Sequence, residues 1–395
     1  MSASAGRAAL TAQIAPIAAI TLFGVTMAMS YPLFGLVLER AGTSGTMIGL
    51  NTTAAAVAMV AGAPILPPVL RRFGLGPLMI VAALALAATI LAIPLVESFW
   101  YWTFLRFLFG VAGTVLFFAS EYWIVAAAPE LSRGRIIAVY ALSVSAGFAL
   151  GPAILGLTGL EGMLPFAVGA GVVLAGLGPI VAGLATAPEI ADDDRPSPFA
   201  ALKVFVTDPG VVFAVVLFGT IEFGAMALIA VWGVRSGLPE AQAALLLTAF
   251  ALGCMVLQIP LGWAADRLDR RMVLSVIAAG SALAPIGMIL AGSSFAWMAF
   301  FVGLWGALSV GLYTIALTEL GARYRGSRLA VGNAAIILGY GIGALVSPAL
   351  LGWAMDSVVP PDGLMLASAM LALGYLALVA ARLGRRRSPL TGDGG

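Results

Sequence analysis

Charged side chains are scarce in this sequence, so those that interrupt its apolar segments are the first candidates for chemistry. Only 10% of the 395 residues are Asp, Glu, Lys or Arg, whereas 62% are hydrophobic. Glu222 and Arg106 each lie inside a long apolar run. A carboxyl group in low-dielectric surroundings can exchange a proton, and a guanidinium there can orient a substrate or assist the proton step. We predict these proton-coupling roles for both; a hydrogen-bonded structural Glu222 and a snorkelling Arg106 are the alternatives.

A second group of charges forms the stretch "GWAADRLDRR" at residues 262–271, directly after an apolar run. An aspartate at one helix end can accept hydrogen bonds from the N terminus of a neighbouring helix and pair with arginine. Such a cluster can hold one side of a protein closed in one state and release it in another; a solvated loop is the alternative. The predicted gate comprises Asp266, Arg267, Arg270, Arg271, Glu121, Glu319, Arg133 and Arg325.

The composition excludes several classes of function. The chain has one Cys and no His, which excludes an intramolecular disulfide, a Cys-based zinc site and Ser-His catalysis. Its one Lys, Lys203, does not follow a glycine loop, so no P-loop for ATP is present. No nucleophile–base arrangement is found, and a net charge of +2 argues against nucleic-acid binding. We therefore expect neither an enzyme nor a cofactor, with a proton gradient as the energy source.

The apolar residues form runs of the length that crosses a bilayer. A helix needs about 20 mostly apolar residues to span the hydrocarbon core, and the mean hydropathy is +1.07. The runs do not alternate as barrel strands would, so they predict an all-α membrane protein. The twelve predicted spans are residues 12–38, 46–70, 75–95, 99–127, 135–157, 163–186, 209–234, 241–264, 272–292, 295–321, 329–353 and 362–383.

The basic residues predict the orientation of these spans. Arg40 and Arg235 fall on one side and Arg106 within a span, which leaves 17 of the 20 Lys and Arg residues on the other side. The positive-inside rule then places both termini in the cytoplasm. The expected location is the bacterial inner membrane.

The two halves of the chain resemble each other. "SAGFALGPAILG" at 145–156 matches "GYGIGALVSPALLG" at 339–352, with Pro152 and Pro348 at equivalent positions. A polar stretch separates the halves, which predicts residues 1–187 and 209–395 as two six-helix bundles joined by a cytoplasmic linker at 188–208. Parallel repeats of this kind favour two bundles around a central cavity.

Three motifs resemble the major facilitator superfamily. Gly262, Asp266, Arg267 and the basic pair after them resemble its signature loop between spans eight and nine, although the first-half loop "PPVLRRFG" has Pro67 where Asp would stand. "RFLFG" at 106–110 is similar to the span-four Arg motif, with Phe109 in place of Gln. "GFALGPAILG" at 147–156 is similar to the Gly-Pro antiporter motif of drug-exporting branches, and residues 120–140 resemble the YcaD-like transporters.

The resemblance implies that spans one, four, seven and ten line the central path. It implies a monomeric transporter in the lipid bilayer that moves a small organic molecule by alternating access, with proton-coupled efflux as the expected action. Uptake or facilitated diffusion is one alternative, and a non-transporting sensor or lipid-handling protein is another. The candidate substrate-binding residues are Tyr31, Asn51, Arg106, Trp232, Gln258, Trp305, Tyr313, Asn333 and Tyr340.

Overall fold

The computed structural model describes residues 3–128, 133–189, 198–324 and 327–387, and every regular element in these ranges is helical. Eleven of the helices described there are long and apolar enough to span a membrane. Large apolar side chains such as Leu157 and Leu290 remain more than 80% exposed. Surfaces of this kind are stable against lipid rather than water.

The N-terminal bundle corresponds to the first six predicted spans. Gly74 separates α2 from α3 with φ +82°, a conformation that glycine adopts without the steric cost of a side chain. The sixth span is interrupted at Gly176 and forms two helices. The helices are α1 (Ala3–Arg40), α2 (Gly45–Phe73), α3 (Leu75–Ala92), α4 (Phe99–Ala127), α5 (Arg133–Thr158), α6 (Leu164–Ala175) and α7 (Leu177–Gly183).

The C-terminal bundle follows a short helix, α8, which lies at the end of the predicted linker. Its central element is α9, the most buried of the spanning helices. The helices are α8 (Pro198–Thr207), α9 (Pro209–Arg235), α10 (Glu240–Val256), α11 (Gln258–Arg267), α12 (Arg270–Leu290), α13 (Phe295–Arg323), α14 (Ser327–Ser357) and α15 (Gly363–Arg387).

The eighth predicted span, 241–264, is divided into α10 and α11. Pro260 has no N–H to donate and its ring collides with the carbonyl four residues earlier, at Val256. Helix α10 accordingly ends at Val256, and Leu257 lies between the two helices. The sequence therefore predicts the position of this span but not its interruption.

The most extensive contacts between the two bundles join α2 with α14, α5 with α10, and α1 with α9. We call the face at which α1 begins and α15 ends the linker face, and the opposite one the distal face. Near the distal face α2 and α14 approach so closely that a Cβ on Gly49 would lie 1.9 Å from the carbonyl oxygen of Pro348. A Cβ on Gly352 would lie 2.1 Å from the Gly45 oxygen, so this seam requires glycine.

Candidate functional site

Glu222 lies on α9 in a wall of aromatic side chains in the C-terminal bundle. The hydroxyl of Tyr340 donates a hydrogen bond of 2.7 Å to its Oε2 atom. The ring of Phe218 stacks on Tyr340 at a centroid distance of 5.7 Å and lies 5.5 Å from Tyr313. No ion pair to Glu222 occurs among the described residues, so this carboxyl group has a hydroxyl partner rather than a cation.

Arg106 lies on α4 and is almost completely buried, at 1% exposure. Its guanidinium carbon is 4.5 Å from the ring centroid of Tyr31, 4.7 Å from Phe34 and 5.2 Å from Phe109. One terminal nitrogen donates a hydrogen bond of 2.9 Å to Ser30. Three aromatic faces thus surround the cation, an arrangement that stabilises a desolvated guanidinium without a carboxylate.

Tyr31 lies where the two bundles meet. It is 2% exposed, and its α1 helix packs against α9. The phenol interacts electrostatically with Arg106 and with Glu222. Tyr31 therefore connects the surroundings of the two charged residues that the sequence singles out, while Arg106 itself makes no ion pair in the part of the chain described.

The other predicted substrate-binding residues divide into two groups. Asn51, Trp232 and Trp305 are at most 1% exposed and belong to the packed interior. Gln258 and Asn333 are exposed, and Tyr313 and Tyr340 are half-buried near Glu222. The structure thus places Tyr313 and Tyr340 on the side of the carboxylate and Tyr31 on Arg106, and it leaves the three interior residues away from any open surface.

Charged side chains join the two bundles at the distal face. Arg235 on α9 donates two hydrogen bonds of 2.8 Å to the carboxylate of Glu39 on α1. Arg40 at the end of α1 pairs with Glu240 at the start of α10, with a 2.6 Å bond from Nε. Neither Glu39 nor Glu240 was selected from the sequence. Both could have been recognised because they and the arginines that pair with them lie at the distal ends of spans in different halves.

Asp356 at the end of α14 belongs to the same network. It accepts hydrogen bonds from the backbone N–H groups of Gly45 and Thr46 at 2.9 and 2.8 Å, and pairs with Arg235 at 2.9 Å. The carboxylate therefore caps the N terminus of α2, where the helix dipole favours a negative charge. This is the chemistry predicted for Asp266, found at the opposite face with a different aspartate.

The described ion pairs of the linker face lie within the C-terminal half. Glu319 pairs with Arg270 at 3.4 Å and with Arg323, which also reaches Asp208 at 2.6 Å. Tyr324 donates a hydrogen bond to Asp208, whose negative charge raises the pKa of that phenol above its ordinary value.

The remaining residues of the predicted gate are partly described. Arg267 lies over the ring of Trp263 at 4.4 Å, and Glu121 is exposed. Arg325 lies outside the described residues, as do the side chains of Asp266, Arg271 and Arg133.

A family model decides what kind of protein this is. The model described as "Major Facilitator Superfamily" matches residues 17–241 and 211–394, and so covers both bundles. The chain belongs to the major facilitator superfamily. This superfamily member is accordingly a transporter and not an enzyme, and its helices make it a multi-pass integral membrane protein with a small-molecule substrate.

Two relatives are similar over nearly the full length. The "Uncharacterized MFS-type transporter YfkF" of Bacillus subtilis (strain 168) is 26% identical and covers 93% of this chain and 94% of its own length. The "Uncharacterized MFS-type transporter YcaD" of Escherichia coli O139:H28 is 25% identical, covering 94% and 96% respectively. The predicted resemblance to YcaD-like transporters is confirmed.

Solved structures support the same architecture. The nucleoside transporter NupG superposes with a TM-score of 0.75 at 13% identity and covers 95% of this chain and 99% of its own. A bacterial homologue of the lysosomal transporter Spinster gives a TM-score of 0.75 at 13% identity, with 97% and 99% covered. At this identity the match shows the fold alone.

Proposed function

We propose that this superfamily member exports a small organic molecule across the bacterial inner membrane in exchange for protons, by alternating access. The observation that supports coupling is the position of Glu222. It is an ionisable group on α9, a helix that packs against the opposite bundle, and it is hydrogen-bonded to Tyr340 without a cation among its described partners. A carboxyl group in such a place can gain a proton from one side and lose it to the other as the bundles move.

The unequal faces support alternating access. Side chains of opposite charge bridge the bundles at the distal face, whereas the described ion pairs of the linker face stay within one half. The proposed orientation makes the linker face cytoplasmic, because most Lys and Arg residues lie there. In this orientation the bridged distal face is the outer one, and an exported molecule enters from the linker face.

The Gly-Pro motif of α5 favours export over uptake. Pro152 lies inside α5, and small residues on this helix allow close packing against α1: a Cβ on Gly151 would lie 2.3 Å from the oxygen of Val25. Helix α14 carries the related Pro348. Because the pattern is therefore not confined to α5, it is weaker support for export than Glu222 is for proton coupling.

The test uses purified protein in liposomes that contain a pH-sensitive dye. A proton gradient is imposed and a panel of lipophilic cations, sugars, amino acids and organic acids is added to the wild type, Glu222→Gln and Glu97→Gln. Glu97 is an exposed residue of the loop between α3 and α4 and provides the matched control. We expect one class of compound to move protons with the wild type and Glu97→Gln but not with Glu222→Gln.

Other outcomes contradict the proposal in distinct ways. Transport without proton flux, unchanged in Glu222→Gln, would favour facilitated diffusion. Proton-driven accumulation in right-side-out vesicles rather than in inverted ones would favour uptake. If no compound of the panel moves and no proton flux follows in a correctly folded preparation, proton-coupled export of these compound classes is contradicted, and a sensor or lipid-handling role is favoured.

A further inference from the structure

The side chains of Arg106 and Glu222 differ in how completely they are buried. Arg106 is 1% exposed and enclosed by the rings of Tyr31, Phe34 and Phe109. Its Nε atom is buried and has no hydrogen-bond partner among the residues that the structure describes. Glu222, in contrast, is only partly buried. The guanidinium is therefore enclosed within the N-terminal bundle, whereas the side chain of Glu222 is less completely enclosed in the C-terminal bundle.

Tyr31 contacts Arg106 and lies on α1, which packs against the α9 helix that carries Glu222. One side of its ring carries the guanidinium of Arg106 at 4.5 Å, and the phenol also interacts with Glu222 and Tyr340. The aromatic ring attracts the guanidinium electrostatically and so stabilises its charge without a carboxylate partner. The ring of Tyr31, which is 2% exposed, therefore covers one face of the guanidinium.

The side chains near Glu222 match a cation. The half-buried rings of Tyr313 and Tyr340 lie on this side of the bundle, and the buried ring of Phe218 packs against both. Glu121 adds an exposed carboxylate on α4 and interacts electrostatically with Tyr313. Carboxylates combined with aromatic faces recognise organic ammonium groups.

From this arrangement we infer that the central site takes organic cations and that Tyr31 sets this selectivity by covering Arg106. Removal of the Tyr31 ring uncovers the guanidinium and admits anionic ligands. Tyr31 is thus a specificity-determining residue rather than a proton carrier. The inference concerns the site of the proposed function, but it requires only ligand binding and no proton movement.

The test compares two ions of the same ring size and opposite permanent charge, benzyltrimethylammonium and benzenesulfonate. Binding is measured with purified protein in lipid nanodiscs from the ligand-dependent shift of the thermal unfolding temperature, at fixed pH and ionic strength. We expect the wild type to bind the cation at least tenfold more tightly than the anion. Tyr31→Phe retains the ring and is expected to retain this preference.

Two further variants show whether Arg106 is the group that Tyr31 hides. Tyr31→Ala is expected to bind benzenesulfonate at least tenfold more tightly than the wild type does. The double variant Tyr31→Ala/Arg106→Gln is expected to lose that gain. If Tyr31→Ala fails to fold, as judged by size-exclusion chromatography, Tyr31→Leu serves as a second variant. Leucine fills more of the space of the tyrosine ring than alanine does, but it has no aromatic face.

Several results would overturn the inference. These are a wild type that prefers benzenesulfonate or binds neither ion, a Tyr31→Ala or Tyr31→Leu variant with unchanged preference, and anion binding that persists without Arg106. None of them depends on proton coupling. Loss of coupling with retained cation selectivity would instead contradict the proposed function alone.

Discussion

The distal and linker faces use the same residue types for different connections. At the distal face Arg235 bridges Glu39 of one bundle and Asp356 of the other, and Asp356 also caps α2 across the seam. At the linker face Arg323 joins Glu319 and Asp208 within one half. Ion pairs that join the two bundles must break when the bundles separate, whereas ion pairs within one bundle survive. A charged residue therefore affects conformational change when its partner lies in the other bundle, and affects only stability when its partner lies in the same bundle.

The seam itself offers the largest expected effect. Gly49→Leu places a side chain where a Cβ alone would lie 1.9 Å from a backbone oxygen of Pro348, so the distal ends of α2 and α14 must separate. Overpacking of this kind costs about 1–3 kcal/mol or more, and we expect transport to fall more than tenfold. Labelling of a cysteine introduced at Ala227, which is buried between α9 and α1, checks the opening in a Cys254→Ser background. Gly178→Leu is the matched control, since nothing lies near a Cβ there.

Asp356→Asn is expected to have the next largest effect. It removes the charge that holds Arg235 and weakens the cap of α2, and a hydrogen bond to a charged group contributes about 1.5–3 kcal/mol. The distal face should open more often, so labelling at Ala227→Cys should accelerate about tenfold, which corresponds to about 1.4 kcal/mol. Glu319→Gln provides the comparison, because its partners lie within one bundle. Equal labelling rates for the two variants would refute the contrast between the faces.

The smallest effect is expected from Arg40→Gln. The side chains of Arg40 and Glu240 are 44% and 31% exposed, and exposed pairs contribute about 0.2–1 kcal/mol. Labelling at Ala227→Cys should rise by less than about fivefold and the difference from the wild type should shrink in concentrated salt. A larger, salt-insensitive change would show that this pair, rather than Asp356, holds the distal face closed.

Much of the fold could be predicted from the sequence because lipid imposes simple rules. Spans such as 99–127 and 295–321 nearly coincide with α4 and α13, since a membrane helix needs a fixed length of apolar residues. The repeat around Pro152 and Pro348 likewise predicted two bundles. These features depend on local composition and are visible in a single chain.

The site was less predictable because its partners are distant in sequence. Glu222 and Arg106 stand out as rare charges, but nothing local shows that Tyr340 bonds to one and Tyr31 covers the other. Asp356 was missed for the same reason, since its partners are more than 100 residues away. The gate predicted around Asp266 stays a prediction.

The interruption at Leu257 has a mechanical consequence. Helix α10 packs against α5 and α13, while α11 packs against α13 and α12. Because the helical hydrogen bonds are interrupted at Pro260, α10 and α11 need not tilt together as one rigid helix. A bend at Leu257 would therefore move α11 relative to α10 without breaking the contact of α10 with α5 in the opposite bundle.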